Sequence, residues 1–475
     1  MKHLWKYVML LNTLTMVFVA HAQEKKEEVF KDAGILMHSH ITVRKIFISG
    51  NKITKKYIVQ RELQFQEGKA YSISEMLQGI QVSRQNLMNT TLFIDASVFF
   101  TNWYNDSLDI QIDLKERWYY IPLPYFKPID RNWNVWIKEH GMDMDRVNYG
   151  VKFLGKNITG RNDRLNAWIL NGYTKKVALN YYNPFTDNKL RHGFGFDFAY
   201  AENREVNYGT SMNKQVFVKD PARFLKQQHQ FGVMYSYRKG SVERHYVRLG
   251  MHSETIADTV AKLNPRYFTN GSTHATYPEL RYSFQHFNLN YIPYPTRGSS
   301  IEFEFTKRGF KKNMNLWQFM LRGSKYIPLP YKSYFATTAE MHLRLPYDQP
   351  FYNLAMLGYN ESYLRGLEYY VVDGVAGGFV RNTIGREVLS LKWKTGLRSR
   401  NYESIPFKFY IKAFADAGYV YSKYPNGATP LTNKFIYTGG FGVDVVSIYD
   451  FVLRLECSFN SLGEAGFFVH KPDVR

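Results

Sequence analysis

The chain has 475 residues, 62 Lys and Arg against 41 Asp and Glu, a formal net charge of +21 and a mean hydropathy of −0.39. Its one cysteine, Cys457, excludes an internal disulfide and a cysteine-based metal cluster. No run beyond the first two dozen residues is long and apolar enough for a transmembrane helix, so any membrane crossing has to be made by a closed sheet.

Residues 1–22 read as an export signal: Lys2 and Lys6 precede an apolar stretch from Val8 to Val19, and Ala20-His21-Ala22 forms a small-residue cleavage site before Gln23. Export changes the meaning of the positive charge. In a cytosolic protein it would point to nucleic acid; in an exported one it fits a basic lumen and contacts with anionic lipid headgroups, with no nucleic-acid partner. Residues 23–41 are polar and charged and read as a linker, in which His38 and His40 fit solvated side chains better than metal ligands.

A compact β-α-α-β-β unit is expected over 42–116. Val43 to Ile48 alternates as a strand and ends in the turn Ser49-Gly50-Asn51. Thr54 is placed to cap a helix carrying Ile58 and Arg61-Glu62-Leu63 and closing near Gly68. Ser72 or Ser74 opens a second helix with Ile73, Leu77, Ile80 and Leu87 at helical spacing. Two strands, Phe93 to Thr101 and Ser107 to Glu116, meet in a hairpin around Asn105-Asp106.

From Arg117 to Arg475 the pattern is different: alternation recurs and aromatic residues are abundant. Leu280, Tyr282 and Phe284 oppose Glu279, Arg281, Ser283 and Gln285; Ile301, Phe303 and Phe305 oppose Glu302, Glu304 and Thr306. Met341, Leu343 and Leu345 oppose Glu340, His342 and Arg344. Phe451, Leu453, Leu455, Cys457 and Phe459 oppose Val452, Arg454, Glu456, Ser458 and Asn460. In 407–421, Phe407, Phe409, Ile411, Ala413, Ala415 and Ala417 share one face, and Lys408, Tyr410, Lys412, Phe414 and Asp416 the other, which aims Asp416 at a lumen. Short turns fall at Asn183–His192, Arg238–Val242, Pro293–Gly298, Pro328–Lys332, Asn401–Pro406 and Ser447–Asp450. Longer loops fall near 204–225, 255–277, 346–385 and 422–434. Short turns at one end and long loops at the other are the mark of an outer-membrane barrel. The expected fold is therefore a membrane β-barrel of about sixteen antiparallel strands over 117–475, preceded by one small α+β domain.

No Gly-x-Ser-x-Gly elbow, His-Glu-x-x-His pair or phosphate-binding glycine loop occurs, so neither catalytic residues, cofactor nor metal site is read from the chain, and the protein is not read as an enzyme.

Residues 42–117 resemble a POTRA domain, on Val43-Arg44-Lys45-Ile46-Phe47-Ile48-Ser49-Gly50-Asn51, Arg61-Glu62-Leu63, Thr91-Leu92-Phe93 and Leu108-Asp109-Ile110-Gln111-Ile112. The remainder resembles the barrel of the outer-membrane assembly and secretion superfamily that includes BamA, TamA and the two-partner secretion transporters. Tyr294-Pro295-Thr296-Arg297-Gly298 looks like its periplasmic turn, with Pro295, Arg297 and Gly298 as motif residues. Leu364-Arg365-Gly366-Leu367 looks like its loop-six motif, and Phe414-Ala415-Asp416-Ala417-Gly418 like its strand-thirteen motif. The resemblance implies a sixteen-stranded barrel in the bacterial outer membrane, a periplasmic POTRA domain, and a sixth loop folded into the lumen. There Arg365 would pair with Asp416, Gly366 would allow a tight turn, and Glu387 stands where the family often has a glutamate that joins the arginine, although its alternation partners Leu389, Leu391 and Trp393 form an apolar face. The chain departs from the family at Leu367, where an aromatic is usual, and in the tail Val469–Arg475 beyond Phe467-Phe468. One POTRA domain is also fewer than the central assembly factor carries.

Three functions fit that resemblance. The first is assembly: the terminal strands, near 117–126 and 465–472, separate and template unfolded barrel or surface-protein clients. The second is export of a dedicated polypeptide through the lumen. The third is a passive channel with a tethering periplasmic domain. Implied partners are polypeptide clients, outer-membrane lipids, and periplasmic or lipoprotein components.

Overall fold

The computed structural model describes residues 40–128, 133–220, 222–311, 314–359, 362–396, 404–423 and 430–471. The export signal 1–22, nearly all of the linker, the turn residues 401–403 and the last four residues lie outside the described residues. Among the described residues no helix is long and apolar enough to cross a membrane.

The first elements are β1 (His40–Ser49), α1 (Lys56–Gln60), β2 (Ala70–Ser72), α2 (Ile73–Asn89), β3 (Phe93–Tyr104) and β4 (Ser107–Glu116). They form a four-stranded sheet in the order β2-β1-β4-β3, with β1 parallel to β4. The three-residue strand β2, antiparallel to β1, is an addition to the expected β-α-α-β-β order; three residues are too few for alternation to reveal. Ser72 opens α2 through a capping box. Its Oγ accepts from the Glu75 N–H at 3.3 Å, while the Glu75 carboxylate accepts from the Ser72 N–H at 2.8 Å. Gly50 turns the chain after β1 at φ +82°, where a Cβ would lie 1.9 Å from the Leu114 carbonyl oxygen. Only glycine fits. The Asn51 side-chain amide donates to the Thr54 carbonyl at 3.0 Å and closes the same turn.

Thr54 does not cap α1. The cap position is Lys55, without a side-chain hydrogen bond. The Thr54 N–H instead donates to Glu116 at 2.7 Å, and its hydroxyl meets the Tyr119 hydroxyl at 3.0 Å and the Asn157 amide at 2.8 Å. Buried polar partners from distant sequence outcompete a local cap for that hydroxyl.

The barrel strands begin with β5 (Tyr120–Pro128). After the short helix α3 (Trp133–Lys138) come β6 (Val147–Lys156), β7 (Arg164–Gly172), β8 (Thr174–Asn183) and β9 (His192–Asn203). A separate hairpin, β10 (Glu205–Ser211) with β11 (Lys214–Lys219), fills the next long loop. Then follow β12 (Lys226–Tyr237), β13 (Glu243–Ile256), α4 (Asp258–Leu263), β14 (His274–Leu289), β15 (Gly298–Lys311), β16 (Met314–Leu329) and β17 (Ser333–Leu345). The loop after β17 holds a small pair, β18 (Ala355–Leu357) with β19 (Val372–Asp373). The wall finishes with β20 (Ala376–Lys394), β21 (Ser404–Tyr421), β22 (Phe435–Val446), β23 (Val452–Asn460) and β24 (Ala465–His470). These sixteen wall strands form one antiparallel sheet running in order from β5 to β24.

The burial pattern inverts that of a soluble protein. Phe196, Phe231, Leu249, Met341, Ile411, Phe441 and Phe459 are exposed, Met341 by 58%, while Glu279, Glu340, Lys412, Asp416 and Glu456 are buried, Glu340 at 0%. Large apolar side chains outside and paired charges inside are stable only when the outer surface meets hydrocarbon.

The chain divides into two compact units. Of the described residues, 40–49, 63–84 and 97–113 form the smaller; 50–62, 85–96 and 114–471 form the larger, barrel-bearing one.

Candidate functional site

The loop between β17 and β20 carries the arginine motif. Leu364 and Leu367 are buried in an apolar cluster with Met356, Leu357, Val372, Phe379 of β20, Val420 of β21 and Ile436 of β22. The two leucines flanking Arg365-Gly366 thus anchor the loop to the inner wall. Leucine volume suffices at 367, where the family more often has an aromatic. The anchoring sets Arg365 against β21: its Nε donates to Asp416 Oδ2 at 2.8 Å and its Nη2 to Oδ1 at 2.5 Å. This is a two-pronged fork on a carboxylate, the geometry arginine matches best. Nη1 donates to Thr383 Oγ1 at 2.9 Å, Nη2 reaches the Asn382 carbonyl at 3.2 Å, and the guanidinium lies 4.0 Å from the centre of the Phe414 ring. Arg365 is 7% and Asp416 3% exposed.

Gly366 adopts φ +90°, a backbone region that favours glycine, and a Cβ there would come 3.0 Å from Ser458 Cβ. Its N–H donates to Glu368 Oε2 at 2.8 Å and its carbonyl accepts from the Asn460 amide at 2.8 Å. Further partners come from elsewhere, and of these alternation places only Arg344 on an inward face. Asn213, at the tip of the β10–β11 hairpin, exchanges backbone and side-chain hydrogen bonds with Val371 at 2.7 and 3.0 Å and accepts from the Leu431 N–H at 3.0 Å. Arg344 of β17 donates to the carbonyls of Ala355 and Gly374. Arg381 of β20 donates to the Tyr363 carbonyl.

Glu387 does not join the lock. Its carboxylate accepts from Tyr410 at 3.0 Å and pairs with Lys332 at 3.3 Å and Lys408 at 3.7 Å, while Arg365 sits beside Asn382 and Thr383, some four residues or about 13 Å further along β20. A register shift between Glu387 and Leu389 explains why its side chain could be taken for part of the apolar face. The extra residue, Val388, is exposed together with Leu389, Leu391 and Trp393, so the alternation changes phase and Glu387 belongs to the inward set.

The turn motif is held by Asn290, whose Oδ1 accepts from the Thr296 and Arg297 N–H groups at 3.1 Å each. Gly298, at φ +115°, leaves no room for a Cβ, which would fall 2.0 Å from the Asn288 carbonyl oxygen. Pro295 is half-buried and the Arg297 side chain is exposed. Tyr294 is the inward member of this turn. Its hydroxyl meets Tyr334 at 2.8 Å and Asp444 at 2.9 Å, and its ring packs on Tyr410 with centroids 4.7 Å apart.

A cavity of about 1070 Å³ opens beside the loop. Arg164, Arg244, Arg365, Arg381, Lys412 and Arg454 are among its lining residues, and Lys and Arg far outnumber Asp and Glu there. Much of the chain's excess positive charge therefore faces inward. The inner wall is also cross-paired: Arg248 bridges Asp197 and Glu279, Arg322 pairs with Glu340, and Lys412 lies 2.6 Å from both Asp444 and Glu456.

The Omp85 superfamily domain matches residues 157–451, more than half of the chain. The chain belongs to the Omp85 superfamily. A POTRA domain, described as a surface antigen variable number repeat, matches residues 41–117 ahead of it. Among solved structures the fold is similar to CdiB from Escherichia coli, with a TM-score of 0.50 at 11% identity over 92% of this chain and 74% of that one. BamA from Haemophilus ducreyi lacking POTRA domains 1-3 gives 0.49 at 16% identity over 91% and 83%. No curated protein matches the chain by sequence. Within the Omp85 fold, the inward loop bearing Arg365 is the eleventh connection along the wall and the sixth at its own end, and its partners Asp416, Thr383 and Phe414 all lie on β20 and β21.

Proposed function

We propose that this Omp85 protein resides in the bacterial outer membrane with its POTRA domain in the periplasm, and that it assembles or inserts polypeptide clients by offering them the edge of its own sheet. The observation that carries this reading is the seam. Among the described residues β5 and β24 are the two ends of the sheet order, with no ladder between them, whereas each of the other fourteen strands is paired on both sides. β24 is only six residues long and pairs with β23 from Arg454–His470 to Phe459–Ala465. Unpaired N–H and C=O groups of an edge strand template an incoming strand through its backbone, so clients need share no side-chain sequence. Arg365, Asp416 and Gly366 hold the inner loop while the seam works. Export through the lumen is the second reading, favoured by the basic cavity beside the loop; it requires the Arg365–Asp416 fork and the apolar cluster around Leu364 and Leu367 to come apart.

Depletion followed by quantitative comparison of outer-membrane and secreted proteins separates the two. Loss of many unrelated barrels is the result expected for assembly; loss of one secreted or surface protein would replace assembly by export. At the seam itself, one cysteine placed in β5 and one in β24, on a Cys457→Ser background, are expected to abolish client insertion when oxidised and restore it on reduction. Undiminished insertion by the oxidised protein would refute seam opening.

A further inference from the structure

We propose that Glu368, Glu456 and His470 form a three-ligand site for a divalent transition-metal ion of the zinc type. The three come from the inner loop, β23 and β24, and one ligand atom of each lies within 4.8 Å of the others. His470 Nε2 is 3.1 Å from Glu368 Oε1 and 3.5 Å from Glu456 Oε2. Ligands bound at about 2.0–2.2 Å around a tetrahedral ion stand about 3.3 Å apart, so both separations match edges of such a polyhedron.

The second oxygen of each carboxylate is already held, which orients the first. Glu368 Oε2 accepts from the Gly366 N–H at 2.8 Å, and Glu456 Oε1 lies 2.6 Å from Lys412 Nζ. Outer partners of this kind fix metal ligands in place. Neither Glu456 oxygen makes a hydrogen bond of good geometry, although the residue is only 1% exposed; Oε1 rests on the ion pair with Lys412, and Oε2 has only His470 Nε2 at 3.5 Å. Lys412 already offsets part of the charge of this carboxylate, and an ion between Oε2 and the imidazole nitrogen would satisfy the oxygen that Lys412 does not reach. Two carboxylates balance a doubly charged ion beside a neutral imidazole, and Lys412 stays balanced by Asp444 at 2.6 Å. His470 also lines the cavity, which leaves room for a water as the fourth ligand. An imidazole in the set selects zinc-type ions over magnesium or calcium. Such an ion would tie the end of β24 to the loop and to β23.

The test uses the full-length protein in detergent micelles, stripped with chelator and titrated with zinc ions by calorimetry, with the thermal midpoint followed in parallel. One equivalent per chain and a rise in midpoint with zinc concentration are expected. Glu368→Gln and His470→Gln should lower zinc affinity by at least tenfold and flatten the rise. Heat-modifiable electrophoretic mobility in the absence of zinc identifies variants that still fold. Wild-type zinc affinity in either folded variant, or a wild type that takes up no zinc, would overturn the site; so would an equal midpoint shift with magnesium.

Discussion

Arg365→Ala is expected to lower the stability of the folded barrel by roughly 3–5 kcal/mol, the usual cost of removing one member of a buried ion pair. The cost arises from what is left behind: Asp416 would keep its charge at 3% exposure with its fork partner gone, and Thr383 and the Asn382 carbonyl would lose donors. Arg365→Lys should recover only part of the loss, because an ammonium cannot span both Asp416 oxygens and Thr383 together. The double variant Arg365→Ala/Asp416→Asn should be more stable than Arg365→Ala alone, since no charge is then stranded, and with Asp416→Asn and the wild type these two make a cycle that isolates the pair. Urea midpoints in micelles and heat-modifiable mobility supply the measurement. A wild-type midpoint for Arg365→Ala would show that the fork contributes nothing to holding the loop.

An effect of similar size is expected at Arg117, ahead of the first wall strand. Its guanidinium forks onto Asp450 at 2.7 and 2.8 Å, its Nε donates to the Phe93 carbonyl at 2.9 Å, and the Tyr291 hydroxyl donates to the same carboxylate at 2.7 Å. All four residues belong to the larger unit, and both charged side chains are buried. Arg117→Ala should therefore cost roughly 3–5 kcal/mol. Burial alone would raise the Asp450 carboxyl, yet the Arg117 guanidinium and the Tyr291 hydroxyl hold it below its ordinary value. A carboxyl depressed in the folded state contributes stability that is present above its unfolded value, about 3.9, and is lost as pH falls through the folded one. Wild-type stability should thus decline as the pH drops below about 4, and Asp450→Asn should remove part of that decline while being less stable at pH 7. A variant whose stability falls with acid as steeply as the wild type would place the acid sensitivity elsewhere.

How much of this was legible in the sequence depends on the length scale of the signal. The inward direction of Asp416 follows from local alternation in 407–421, and the strand keeps that alternation: Tyr410, Lys412, Phe414 and Asp416 are buried, and Ile411, Ala413 and Ala415 are exposed. Glu387 shows how the same reasoning fails. One inserted residue, Val388, shifts the phase, and nothing in the residue types announces it. Thr54 fails differently: threonine before a helix is a cap signal, but Tyr119, Asn157 and Glu116 claim its polar groups.

The sequence by itself pointed to a transmembrane sheet of about sixteen strands, because side chains on a strand alternate with period two and each strand has to bury charge on one face and meet lipid with the other. It also placed the turns at Ser49-Gly50-Asn51 and Pro293–Gly298, where the structure shows Gly50 and Gly298 at backbone angles that leave no room for a Cβ. Tertiary structure decided which side chains meet in the lumen, and only the Arg365–Asp416 pair is expected from the sequence, through the family resemblance rather than any local pattern. Arg365 is fifty-one residues from Asp416, Glu368 lies 102 from His470, and Asn213 reaches Leu431 across 218. Those encounters depend on strand register and on how the loops fold inward, and a pattern of nearest neighbours carries no information about either.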